Sequence, residues 1–216
     1  MNSHTQDHQE YLVPAGYGEA LFVEKRSRFI GRVWLCEEEQ EALARIAEIR
    51  KKHGDATHNV YAYIVNGGRT LRYSDDGEPQ GTSGLPTLGV FQNESVFNVC
   101  CIITRYFGGT LLSSGGLVRA YSKTAKMALD EAGISSMRRW NLMLIPCPYS
   151  FYERVRNMIV AYEGAVESTD FAADVLLEVL LPFGKTGEFQ RQLTELSAGT
   201  IEAVIADTIF RGVRIR

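Results

Sequence analysis

Residues 96–106, VFNVCCIITRY, are apolar almost without a break and end on Arg105 and Tyr106. A strand that lacks polar alternation is covered on both faces, so this chain needs layers on either side of a sheet. The segment that follows, FGGTLLSSGG, has the composition of a loop. It runs into a helix predicted over 115–132, where Leu117, Ala120, Tyr121, Thr124, Ala125, Ala128 and Ala132 share one face and Gly133 closes the pattern.

Around this strand–loop–helix unit the periodicity predicts further elements. Strands are expected at 17–24 and 28–35 with a polar turn between them, and a helix at 37–53. Glu37, Glu38 and Glu39 begin that helix and Lys51, Lys52 and His53 end it, the charge order that the helix dipole favours. Strands at 57–66 and 69–73 and a short helix at 85–92 complete a first domain, 1–138. Residues 1–15 read as a polar lead-in carrying His4 and His8, and Arg138–Arg139 as a linker. A second domain, 139–216, shows strand 141–148, helix 150–163, strands 165–172 and 174–181, helix 185–197 and strand 200–210. That order, β-α-β-β-α-β, is the split pattern of a ferredoxin-like domain. The fold class is therefore α+β in two domains.

Composition narrows the partners. The net charge is −3, so bulk positive charge cannot hold a polyanion, and any such site has to be a local cluster. Cys36, Cys100, Cys101 and Cys147 form no CxxC pair, and Cys100 and Cys101 would point to opposite faces of one strand. Buried small hydrophobes explain them, with no disulfide framework and no zinc site. No signal peptide and no membrane span is expected, and a cytoplasmic location fits.

Three segments carry possible chemistry. Arg105, Gly108, Gly109, Ser113, Ser114, Gly115, Gly116, Arg119 and Lys123 lie where a buried strand gives way to a helix start. Free peptide N–H groups, small hydroxyls and guanidinium groups in such a place suit an anion. The opposing reading is that the glycines serve close helix–strand packing. Neither GxxxxGK[ST] nor GxGxxG is present. The loop Asp75, Asp76, Gly77, Glu78, followed by Gly81, Thr82 and Gly84, holds three carboxylates, with His58 on a preceding strand. It reads as a self-capping turn, as a recognition loop, or as a source of a general base or metal ligand. Lys25, Arg26 and Arg28 mark a basic hairpin, which reads equally as a solvated turn or as a grip on phosphate with Phe29 as a ring for base stacking. A hydrolase would need Ser113, Ser114, Thr82 or Ser83 as nucleophile, and no GxSxG elbow supports one. No cofactor and no metal is expected.

YSDDGEPQGTSGLPTL, followed some residues later by TRYFGGTLLSSGGLVRAY, resembles the signature pair of the YigZ/IMPACT family, and SRFIGRV and ATHNVYAY resemble it too. The family commonly has Gly where this chain has Ser113, which adds a hydroxyl to the loop. The resemblance implies a first domain with the β-α topology of a ribosomal-protein domain and of elongation factor G domain IV, and a second like the last domain of elongation factor G. Eukaryotic relatives restrain a translational stress kinase through an additional N-terminal domain. The expectation is a translation-associated regulator that binds RNA or a ribosome-associated partner, with a protein partner possible. The alternative is an enzyme acting on a small phosphorylated or peptide substrate through the loop carboxylates.

Overall fold

The structure, a computed structural model, describes residues 10–215; His4, His8 and most of the expected lead-in lie outside the described residues. The chain divides into two units, a larger one of residues 11–136 with 212–215 and a smaller one of Glu10 with 137–211. No described helix is long and apolar enough to cross a membrane.

The larger unit is built on a five-stranded sheet in the order β2-β3-β6-β4-β5. Its strands are β2 (Gly18–Glu24), β3 (Ser27–Leu35), β4 (His58–Val65), β5 (Thr70–Ser74) and β6 (Val99–Tyr106). Every neighbouring pair in it is antiparallel. β6 sits in the middle, and all its residues before Tyr106 are buried, as its unbroken apolar sequence requires. Helix α1 (Glu39–Lys52) covers one face with Ala42, Ile46 and Ile49, packed on Cys36, Tyr63, Cys100 and Ile102. Helices α2 (Gly84–Asn93) and α3 (Ser114–Ala132) belong to the other face, where Phe29, Phe91, Val60, Cys101, Ile103 and Tyr121 form the main core. Cys100 and Cys101 thus face opposite ways, and all four cysteines are free and buried. Burying each of the large side chains here contributes about 1.5–3 kcal/mol.

Glycine gives α3 its close seat. A Cβ on Gly18 would lie 2.2 Å from the Ala128 carbonyl oxygen, and one on Gly31 would lie 2.7 Å from Thr124 Cγ2. Strand β1 (Tyr11–Pro14) also belongs to this unit. Its Leu12 carbonyl accepts from the Phe97 N–H at 2.8 Å, so the end of the expected lead-in is ordered strand.

The smaller unit holds β7 (Ile134–Cys147) from residue 137 on, α4 (Tyr149–Ala161), β8 (Ala165–Phe171), β9 (Val175–Pro182), α5 (Thr186–Ser197) and β10 (Val204–Arg214) as far as residue 211. The element order read from the sequence is present, and the strands are arranged β10-β7-β9-β8. Met143, Ile145, Val155, Ile159, Leu177, Val179, Phe189 and Leu193 make the core. Two expectations are corrected. Arg138 and Arg139 lie within β7 rather than in a linker, because their side chains find partners on the strand. Arg138 pairs with Glu10 at 3.4 Å, and Arg139 stacks 3.5 Å from the Phe183 ring centroid. The last strand begins later than expected, since Ile201 and Ala203 are buried as irregular chain before it.

Candidate nucleic-acid interface

Phe29, Arg105 and His58 stand in one row across β3, β6 and β4, since Arg105 is the register partner of both others. The row ends the sheet on the face that carries α3. A cation in a strand covered on both sides has to find a counter-charge, and the SDDGEP loop supplies it. Glu78 Oε1 accepts from Arg105 Nη1 at 2.6 Å and from the Tyr121 hydroxyl at 2.7 Å. Both side chains of the ion pair are nearly sealed, 6% exposed for Arg105 and 3% for Glu78. His58 Nε2 lies 3.8 Å from Glu78 Oε2, and its Nδ1 lies 2.8 Å from the Asp76 carbonyl oxygen. Burial, with Glu78 beside it, pushes the Tyr121 phenol far above its ordinary range, so Tyr121 acts here as a fixed donor.

The three loop carboxylates turn to three different partners. Asp75 accepts from the N–H groups of Gly81, Ser83 and Gly84 and from the Ser83 hydroxyl, at 2.7–3.1 Å, and so closes the start of α2. Asp76 pairs with Arg50 at 2.7 Å and accepts from the Asn59 N–H at 2.6 Å. Glu78 goes to Arg105. Gly77 and Gly81 take φ values of 89° and 74°, which the turns require. Thr82 bonds the Pro79 carbonyl, and a Cβ on Gly84 would lie 2.8 Å from the Ser74 oxygen. The loop is self-capping in its Asp75 half. No group of three or more His, Cys, Asp or Glu side chains that could hold a metal occurs among the described residues.

Asp75 makes this testable by pH. Burial alone would raise its pKa, but the bonds from Gly81, Ser83 and Gly84 outweigh burial and hold it below the ordinary value of 3.8. A depressed folded pKa stabilises the fold above the unfolded value and loses that contribution as pH falls through the folded one. Asp75→Asn should therefore flatten the stability profile below about pH 4, as followed by urea denaturation across acid buffers. A profile as steep as the wild type's would remove Asp75 as its source.

The expectation that Arg105 and Arg119 flank one exposed anion cradle is corrected on its first half, because Glu78 already takes the Arg105 guanidinium in the interior. At the helix start, Ser113 has an ordinary φ of −68° and needs no glycine. Its hydroxyl accepts from the Gly116 N–H at 3.2 Å, so the hydroxyl that departs from the family pattern caps α3. Ser114 and Gly115 are exposed. Gly108 serves packing, as a Cβ there would lie 2.1 Å from the Arg26 carbonyl carbon, while Gly109 takes φ 81° beside open space. Phe29 is fully buried and offers no ring to a base.

What remains exposed is the rest of the expected basic set. Lys25 and Arg26 form the tip of the β2–β3 hairpin, both with positive φ. Just before them, Phe22 and Glu24 share a groove of about 220 Å³ with Gly116, Arg119, Ala120 and Lys123 of α3. Lys123 Nζ sits 4.6 Å from the Phe22 ring centroid. Arg28 points to the opposite sheet face, over the Tyr106 ring at 5.7 Å. None of Lys25, Arg26, Arg28, Arg119 and Lys123 joins an ion pair with a described residue. Sequence reasoning picked these cations but missed the Arg105–Glu78 bond. The signal was present in a charged residue closing an apolar strand.

Residues 25–129 match the Impact N-terminal domain, and residues 145–200 match a domain of unknown function, DUF1949. IMPACT family member YvyE of Bacillus subtilis is 33% identical over 190 residues, 88% of each chain. The chain belongs to the IMPACT family. YigZ of Escherichia coli, another member, is 30% identical over 197 residues, 90% of this chain and 97% of its own. Mouse Protein IMPACT is 32% identical over 117 residues, 52% of this chain but 36% of its own length. A crystal structure described only as that of a hypothetical protein has 30% sequence identity and a TM-score of 0.57, covering 92% of this chain and 98% of the other. Within the IMPACT family pattern, the two signature segments of this chain are joined by the buried Glu78–Arg105 bond.

Proposed function

We propose that this IMPACT family member is a cytoplasmic, translation-associated regulator that binds RNA, on the ribosome or free, through the basic corner of its larger unit. The observation that carries the reading is the set of exposed, unpaired cations at Lys25, Arg26, Arg119 and Lys123. In a protein of net charge −3, cations left without counter-charges at one corner form the local cluster that a polyanion requires. The groove is lined by one acidic side chain, Glu24, and by two of these cations, Arg119 and Lys123. The smaller unit's ferredoxin-like order, and the likeness to elongation factor G domains that the family resemblance implies for both units, point to the same setting by analogy of fold.

Alanine at all four cations tests the reading. RNA affinity at low salt should fall on the order of 100-fold, and the dependence of log K on log salt should flatten by about 1 for each phosphate no longer neutralised. Fluorescence anisotropy with labelled RNA over a salt series measures both. Equal binding and an equal slope in the wild type and the fourfold variant would overturn the proposal.

A further inference from the structure

We propose that the RNA taken by this corner is single-stranded, and that Phe107 is the ring on which one of its bases stacks; this rests on the basic corner being an RNA site. Phe107 follows β6 directly and is 46% exposed, where a free aromatic ring would ordinarily be buried. Its backbone is anchored on both sides. The Phe107 N–H donates to Thr57 Oγ1 at 3.0 Å, and the next residue, Gly108, donates to Ser27 Oγ at 3.2 Å. Gly108 also lies against the Arg26–Ser27 backbone, so the ring stands beside the hairpin tip that carries Lys25 and Arg26.

The Arg105 guanidinium backs the ring, 5.8 Å from its centroid; Glu78 accepts from that group and is itself held by the Tyr121 hydroxyl. The buried ion pair is thereby a rigid base under an exposed aromatic ring. A fixed ring flanked by unpaired cations is the arrangement that holds single strands, since every base has a π-face and the cations follow the backbone. A duplex keeps its bases stacked on one another and has none to give such a ring. Arg105 is a positioning residue in this scheme, and Phe107 is the residue that touches RNA.

The test uses the full chain with a labelled single-stranded RNA of about 12 nucleotides and the duplex of the same sequence. Wild type should bind the single strand more tightly. Phe107→Ala should weaken single-strand binding about 5- to 150-fold and leave duplex binding and the salt slope unchanged. Phe107→Trp should retain it. Phe107→Leu keeps an apolar side chain without a π-face, so it should lose binding as Ala does, and it decides the matter if the Ala variant fails to fold. If the fourfold cation variant loses binding while Phe107→Leu binds like wild type, the stacking inference fails and the basic corner stands. Tighter wild-type binding to the duplex than to the single strand overturns the stacking inference in the same way. If no RNA binds the wild type, both fail.

Discussion

Replacing Arg105 with alanine is expected to lower the stability of the larger unit by about 3–5 kcal/mol. The loss arises from what remains behind. Glu78 stays buried at 3% exposure without its counter-charge, and the Tyr121 hydroxyl at 2.7 Å is then its principal donor. His58 Nε2, at 3.8 Å, is too far for a strong bond. Removing both members of the pair is the informative control. Arg105→Met with Glu78→Leu leaves no stranded charge and should recover much of the loss, because apolar replacements of a buried pair are often neutral. Tyr121→Phe should cost less, about 1–3 kcal/mol, since Arg105 still satisfies the carboxylate. Trp34 lies in the larger unit and Trp140 in the smaller, so urea denaturation in a Trp140→Phe background reads the affected unit. A deficit under about 1 kcal/mol in Arg105→Ala would mean that the pair is not what closes this end of the sheet.

The same bond shows where sequence reading succeeds and where it stops. Local pattern carries α3, whose apolar face and final glycine were legible, and β6, whose unbroken apolar run required cover on both faces. It also carries the β-α-β-β-α-β order of the smaller unit. Each of these depends on neighbours within a few residues. The Glu78–Arg105 bond joins residues 27 apart in the chain, across a loop whose path no periodicity encodes. Reading Arg105 as an exposed phosphate contact followed from its neighbours in sequence, a glycine-rich loop and a helix start. Its neighbours in space are Phe29, Tyr121 and Glu78. Burial inverts its role, because the nearest carboxylate takes Nη1 of the guanidinium in the interior and draws its charge away from solvent, even though Nε finds no hydrogen-bond partner among the described residues.

A similar inversion explains the misread boundaries. Arg138–Arg139 looks like a break because two adjacent charges interrupt an apolar pattern, yet long cationic side chains can lie along a strand while their heads find Glu10 or an aromatic ring. β1 is short and follows a polar stretch, so its pairing with residues near Val96 left little trace in composition. The basic hairpin survives as exposed charge because a tight turn with positive φ at Lys25 and Arg26 holds both side chains out of the core.

Gly108→Ala should separate packing from binding. The added Cβ would lie 2.1 Å from the Arg26 carbonyl carbon and 2.3 Å from the Ser27 nitrogen. Both are backbone atoms, so no rotamer change relieves the clash, and the loop has to leave the hairpin. A loss of about 3 kcal/mol is expected, at the upper end for overpacking, with the Gly108 to Ser27 bond given up as well. Gly18→Ala is the matched control. Its Cβ would meet the backbone of α3 at 2.2 Å and 2.3 Å, a collision of similar severity at the other end of β2. Both variants should unfold at lower urea concentration by comparable amounts. Only Gly108→Ala should also weaken single-strand RNA binding under conditions where each remains folded, because it alone moves Phe107 away from the Lys25–Arg26 tip. Equal RNA affinities in the two variants would show that the position of the loop against the hairpin has no part in binding, however much it contributes to stability.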